Sequence, residues 1–184
     1  MSGKVLITGG AGFIGSHLVD GLVQAGYEVR VLDNLLAQVH GPTERPPVYL
    51  APEAEFIKRD VRDSDVVRRA LAGVRAVFHV AAAVGVGHSM YEMQHYTSVN
   101  ALGTTVLRES SIDRPVEKLI VASSMSIHGE GFYQDARGRL LHEARRSAEQ
   151  LRAGQWELRD EQGQALEPVP TNEAKRPWSS KRED

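Results

Sequence analysis

Thr8-Gly9-Gly10-Ala11-Gly12-Phe13-Ile14-Gly15 joins two segments of different character. Before it stands a short apolar run, Lys4 to Thr8 (KVLIT); after it, apolar residues recur at Ile14, Leu18, Leu22 and Ala25. The run predicts a buried parallel strand, and the recurrence predicts one face of a helix closed by Gly26. The octet satisfies Gly-x-Gly-x-x-Gly through Gly10, Gly12 and Gly15. It also satisfies Thr-Gly-x-x-Gly-x-x-Gly through Gly9, Gly12 and Gly15. A tight turn needs a residue that tolerates positive φ, a diphosphate needs backbone with no Cβ in the way, and the helix must pack closely on the strand. The helix N-terminus then offers an anion unpaired N–H groups and the favourable end of a dipole. Asp33 closes a second strand, Glu28 to Leu32 (EVRVL), 18 residues beyond Gly15. A carboxylate there accepts bonds from the adenosine ribose hydroxyls of a dinucleotide and repels a 2′-phosphate, which favours NAD over NADP.

Working outward, Glu55 to Lys58 is a third strand, followed by a helix from about Ser64 to Leu71. Arg75 to Val80 (RAVFHV) is a fourth, Ser89 to about Ser110 a long helix, and Lys118 to Ala122 (KLIVA) a fifth strand. Strands alternating with helices at these spacings predict an α/β fold, a parallel sheet covered on both faces. Right-handed crossovers give it the doubly wound Rossmann order 3-2-1-4-5. Residues 1–129 read as the NAD-binding domain and 130–184 as a polar, charged extension. The last 55 residues hold 10 basic and 11 acidic side chains, and their branched aliphatics are only Leu140, Leu141, Leu151, Leu158, Leu166 and Val169. Such a segment buries little apolar area to offset its ordering entropy.

Composition sets the outer bounds. With 184 residues and a formal net charge of -2, nothing in the overall balance points to nucleic acid or an acidic membrane as partner. No cysteine is present, which excludes disulfides, a thiol nucleophile and thiolate metal sites, and fits a cytoplasmic setting. No apolar run is long enough to span a bilayer, and the N-terminus enters a strand with no leader pattern.

Several motifs in order resemble the extended short-chain dehydrogenase/reductase family, and within it the NAD-dependent nucleotide-sugar epimerases and dehydratases of the UDP-galactose 4-epimerase kind. They are TGGAGFIGSHL (Thr8 to Leu18), LDNL (Leu32 to Leu35), Asp60-Val61, HVAAAVGVGHS (His79 to Ser89), Asn100 in VNALGT, and ASSMSIHGEG (Ala122 to Gly131). Pro170 to Glu173 resembles the family's approach to its catalytic helix. The resemblance places Gly9, Gly12, Phe13, Ile14 and Gly15 at the diphosphate of NAD, Asp33 and Asn34 at the ribose, and Asp60 and Val61 at the adenine. Ala81, Ala82 and Ala83 run along the cofactor, Asn100 is a structural and cofactor-side residue, and Ser124 hydrogen-bonds the reacting sugar hydroxyl. It implies a nucleotide-diphosphate sugar as substrate, a homodimer, and hydride transfer to NAD and back through a 4-keto sugar. The residues after Ser124, Met125-Ser126-Ile127, lack the acidic groups of the dehydratases and tilt the reading to a 4-epimerase. A 4,6-dehydratase relative and an inactive NAD-binding or interaction module are the alternatives.

One departure stands out. The family's oxidation step uses Tyr-x-x-x-Lys on a helix face, with the tyrosine taking the hydroxyl proton and the lysine lowering its pKa. None of Tyr27, Tyr49, Tyr91, Tyr96 and Tyr133 has a lysine four residues on; Tyr133 with Arg137 is the nearest imitation. Lys175 and Lys181 have no tyrosine partner, and the VYG of relatives is Ile127-His128-Gly129 here. The chain is thus expected to be the front of a longer enzyme, with its fifth strand an unpaired edge and its solubility dependent on a partner. His79 is expected to be a satisfied core histidine, and His88, His95 and His128 lack metal-ligand spacing. Residues 137–152 suggest an amphipathic helix, and Trp156 a stacking group or an anchor.

Overall fold

The computed structural model describes residues 3–141, 146–173 and 175, apart from the Met125 side chain. The chain divides into two compact units, Met1–Ala122 and Ser123–Asp184.

In the first unit, β1 (Lys4–Thr8), β2 (Glu28–Asp33), β3 (Glu55–Lys58), β4 (Val74–His79) and β5 (Lys118–Val121) form one parallel sheet of order β3-β2-β1-β4-β5. That is the doubly wound order expected from the alternation of elements. Side chains alternate across the pleat, so β1 sends Val5 and Ile7 to one face and Leu6 to the other. Val5 and Ile7 pack with Val29, Val31 and Val19 of helix α1 (Phe13–Gln24). Leu6 packs with Leu32, Val66 and Val67 of α3 (Ser64–Ala70), and Leu107 of α6 (Gly103–Asp113). Both faces of the central strands are therefore dry, which is what lets β1 and β2 read as nearly continuous apolar runs. Short helical turns α2 (Ala37–His40) and α4 (Val86–Ser89) follow β2 and β4 at the carboxyl end of the sheet. At the other end Arg30, itself buried, donates to the carbonyls of Ala70 and Ala72 and pairs with Glu55 at 2.9 Å.

The helix expected from Ser89 to about Ser110 is interrupted. α4 ends at Ser89, and the helix resumes as α5 (Met93–Thr97) and runs through a π-helical turn, Ser98–Leu102, into α6. Among the described residues β5 pairs only with β4, and its Ile120 and Val121 are 43% and 47% exposed.

The second unit holds a small antiparallel sheet, β7-β6-β8, of β6 (Phe132–Gln134), β7 (Leu140–Leu141) and β8 (Glu167–Val169), with Phe132, Leu158 and Leu166 buried. The helix expected over residues 137–152 reduces to α7 (Ala148–Arg152), because Leu140 and Leu141 pair with β6 instead; residues 142–145 lie outside the described ones. Two hairpin turns share one lock. Asp135 and Asp160 each accept from the backbone N–H two and four residues on, and Gly138 and Gly163 close the turns at φ 75° and 79°.

Candidate active site

The glycine loop lies at the carboxyl end of β1, and each of its glycines answers a different constraint. Gly9 has φ 72°, and a Cβ there would stand 2.7 Å from the Ala81 backbone. Gly15 lies so close beneath the turn that its Cβ would meet the Gly9 carbonyl oxygen at 2.1 Å. A Cβ on Gly12 would meet only that oxygen, at 3.4 Å, so this position opens outward. Gly12 is also the N-cap of α1, with no side-chain cap and no acidic residue in the first turn. The first N–H groups of a three-turn helix are thereby left for an external anion, beside backbone that it approaches without hindrance. Phe13 and Ile14 in that first turn are exposed. These are the features that the diphosphate of NAD requires.

Asp33 ends β2 and is almost wholly buried. It accepts from Ala11 N–H at 3.0 Å with one oxygen and from Leu35 N–H at 2.8 Å with the other. The carboxylate therefore ties the glycine loop to β2, and each oxygen keeps a further lone pair for a ribose hydroxyl. Asn34 caps Leu36 N–H and reaches Asp60 at 3.2 Å. Arg62 clamps Asp60 through two guanidinium bonds, 2.8 and 2.7 Å, and a backbone bond. This pairing holds the Asp60 carboxyl down to about 2. The Val61 side chain belongs to the core, packed where Gly103 leaves room.

Across the loop, Ala81 N–H lies 3.4 Å from the Thr8 hydroxyl, Ala82 is exposed, and Ala83 is held by Asn100. Asn100 accepts from Ala83 N–H at 2.8 Å and donates to its carbonyl at 3.0 Å from the π-helical turn. This is a backbone-mimicking pair, and it fixes the Ala81–Ala83 strand extension without using a regular element. His79 is buried between the Thr8 and Thr104 hydroxyls, at 2.6 and 2.9 Å. Burial lowers its pKa, and both ring nitrogens are engaged, so it is the satisfied core histidine expected.

The family model of the NAD dependent epimerase/dehydratase family matches residues 5–147. The chain belongs to this family. It is 35% identical to a dTDP-L-rhamnose 4-epimerase of Burkholderia thailandensis over 84% of the chain and 44% of that relative. A UDP-glucose 4-epimerase of Thermotoga maritima, solved with UDP-glucose, shares 36% identity over 70% of this chain and 40% of its own, at a TM-score of 0.61. The Thermus thermophilus UDP-glucose 4-epimerase, solved with NAD, shares 36% over 74% of this chain and 41% of its own, at a TM-score of 0.59. The chain thus spans less than half the length of the relatives it matches.

In this family member, the first unit gathers Gly9, Gly12, Gly15, Asp33 and Ala81 around the carboxyl end of β1, with Asn34–Asp60 and Ala83–Asn100 as bonded pairs to either side. Ser124 belongs to the second unit, where it caps a 3-10 turn (Met125–His128) and accepts from Ser126 N–H at 3.1 Å. Tyr133 sits in β6 and Arg137 in the turn after it, so they do not share a helix face; the Tyr133 hydroxyl donates to Glu130. Lys175 donates to the Glu130 and Gly131 carbonyls and lies over the Phe132 ring, a structural position. Lys181 lies outside the described residues. Among those residues no three His, Cys, Asp or Glu are grouped to hold a metal, and no helix is long and apolar enough to cross a membrane. Sequence reasoning missed Tyr49, whose hydroxyl donates to the Ala11 carbonyl at 2.7 Å and braces the loop. It also missed Arg62 as the partner of Asp60. No local pattern signals Tyr49, 38 residues from its acceptor, whereas Arg62 stands two residues from Asp60 and was open to notice.

Proposed function

We propose that this chain holds NAD for a nucleotide-sugar 4-epimerase. The observation that carries the reading is the juxtaposition of an uncapped helix N-terminus, open at Gly12, with the buried Asp33 carboxylate that ties the loop to β2. Bound NAD would supply a reversible hydride acceptor. The loop N–H groups would bind its diphosphate, Asp33 would orient the adenosine ribose, and Asn100 would keep the Ala81–Ala83 backbone in place beside it. Ser124 would hydrogen-bond the sugar hydroxyl that is oxidised. The tyrosine base of the oxidation step is not represented by any Tyr-x-x-x-Lys in the sequence. NAD binding is therefore the activity assigned to these 184 residues, and turnover belongs to the reaction as a whole. A cytoplasmic homodimer is part of the same proposal.

The dTDP-L-rhamnose epimerase overlap covers 84% of the chain, against 70% for the Thermotoga enzyme. Both relatives are 4-epimerases of nucleotide sugars, one named for a dTDP-sugar and one for a UDP-sugar, and the proposal extends to either kind. Calorimetric titration of the full chain with NAD and NADP tests the cofactor assignment. NAD is expected to bind at least about tenfold more tightly, and Asp33→Ala to weaken it by about tenfold or more, the loss of hydrogen bonds to a charged group. Absence of NAD binding, or equal binding of NADP, overturns it. A panel of UDP- and dTDP-sugars assayed for epimer formation is expected to show no product from these 184 residues, and turnover would overturn the assignment of NAD binding alone.

A further inference from the structure

We infer that Gln38 and His88 form a clasp over the dinucleotide and govern its release, an inference that rests on the NAD site proposed above. The Gln38 side-chain amide lies 2.7 Å from His88 Nδ1, across 50 residues of sequence. Gln38 is in α2, which follows β2; His88 is in α4, which follows β4. In a parallel sheet of order β3-β2-β1-β4-β5, β2 and β4 flank β1 and all three deliver their chains to the same end. A bond from the turn after β2 to the turn after β4 must therefore cross the carboxyl end of β1, where the Gly9–Gly12 loop lies. It crosses the middle of a dinucleotide whose diphosphate sits on that loop.

The two turns are built to be joined there and little elsewhere. Neither contributes a buried residue. A glycine with positive φ borders each, Gly41 after α2 at 69° and Gly85 before α4 at 123°. Each turn is tied within its own segment, by Leu36 N–H to Asn34 on one side and by Ser89 to Val86 and Tyr96 to Val84 on the other. Two small, internally fixed bodies on glycine joints thus meet through one hydrogen bond at the carboxyl end of the sheet. An amide and an imidazole each offer a donor and an acceptor, so the pair closes with either imidazole tautomer. Both side chains are exposed, and the core does not depend on them.

The test follows NADH release from the full chain, by loss of its fluorescence when excess NAD is added. Gln38→Ala and His88→Ala are each expected to speed release about fivefold to tenfold, the effect of one hydrogen bond. The double variant should be no faster than the faster single one, and all three should melt with the wild type. Unchanged release in the single variants, or a double variant whose acceleration is the product of the two, overturns the clasp. The chain has no cysteine, so a Q38C/H88C protein bridged by a short bis-maleimide gives a second reading. Bridging after loading should trap NADH, and free exchange from the bridged protein overturns the inference. A wild-type chain that binds no dinucleotide overturns the site and the clasp together; normal binding with unaltered release overturns the clasp alone.

Discussion

Three glycines of one helical segment should respond to alanine in three different ways. At Gly15 the new methyl carbon would stand 2.1 Å from the Gly9 carbonyl oxygen and 2.6 Å from the Gly10 Cα. Ordinary contact requires these atoms to separate by roughly 1 Å, and both obstacles are backbone, so α1 must back away from the loop. Overpacking of this kind costs about 3 kcal/mol, against a gain of about 1 kcal/mol for alanine over glycine in a helix. The clash wins, and Gly15→Ala should lose about 2 kcal/mol, a fall in Tm of roughly 5 to 10 °C. Gly21 has nothing within 4 Å of its Cβ position, so Gly21→Ala collects the propensity gain alone and should melt a few degrees higher. Gly12 is the informative case. Its φ of -73° is open to any residue and its Cβ would make only a 3.4 Å contact. Gly12→Ala should therefore melt within about 1 kcal/mol of the wild type while losing most of its NAD affinity, because the methyl would stand where the proposed site puts the diphosphate. Differential scanning calorimetry without ligand and calorimetric NAD titration read the two effects separately. A Gly15→Ala protein as stable as the wild type would refute the packing argument. A Gly12→Ala protein that binds NAD normally would refute the placement of the diphosphate.

Further outcomes follow from the bonds around the loop. Asn100→Ala removes two bonds to Ala83 and should cost about 1 to 2 kcal/mol in a denaturant melt, with a loss of NAD affinity that Asn100→Asp, which keeps only the acceptor, partly restores. The buried, neutral His79 has a folded-state pKa below the ordinary 6.5. Its contribution is intact above that pH and is lost as pH falls toward the depressed value, so Tm should drop on acidification below about 6.5 and His79→Gln should flatten that limb. The Asp60 carboxyl is held at about 2, against 3.8 when unpaired, so the stability it lends is present above 3.8 and is lost as pH falls through about 2. Asp60→Asn should remove that acid limb from the melting profile.

The division of labour between sequence and tertiary structure follows from the range of the interactions. The alternation of apolar runs, the glycine octet and the position of Asp33 specified the α/β class, the 3-2-1-4-5 order and the NAD-type loop. Each of these depends on residues within one or two elements of each other: pleat period, helix period, turn chemistry and a fixed strand-to-strand offset. The motif also marked which glycines matter, though not that Gly9 and Gly15 are enforced from inside while Gly12 faces out. That distinction needs the backbone of Ala81 and Gly10 in place. What the pattern could not specify was how distant polar groups pair. Asn100 holds Ala83, Tyr49 braces Ala11, His79 joins Thr8 to Thr104, and Gln38 meets His88, over separations of 17 to 71 residues. The same limit explains the interrupted helix before Asn100 and the sheet where an amphipathic helix was expected, since strand pairing of Leu140 and Leu141 with β6 overrode their local helical spacing. Local chemistry therefore decided the kind of fold and the class of ligand. Tertiary packing decided which side chains hold the loop still and which meet above it, because a hydrogen bond between remote residues leaves no periodic trace in the chain.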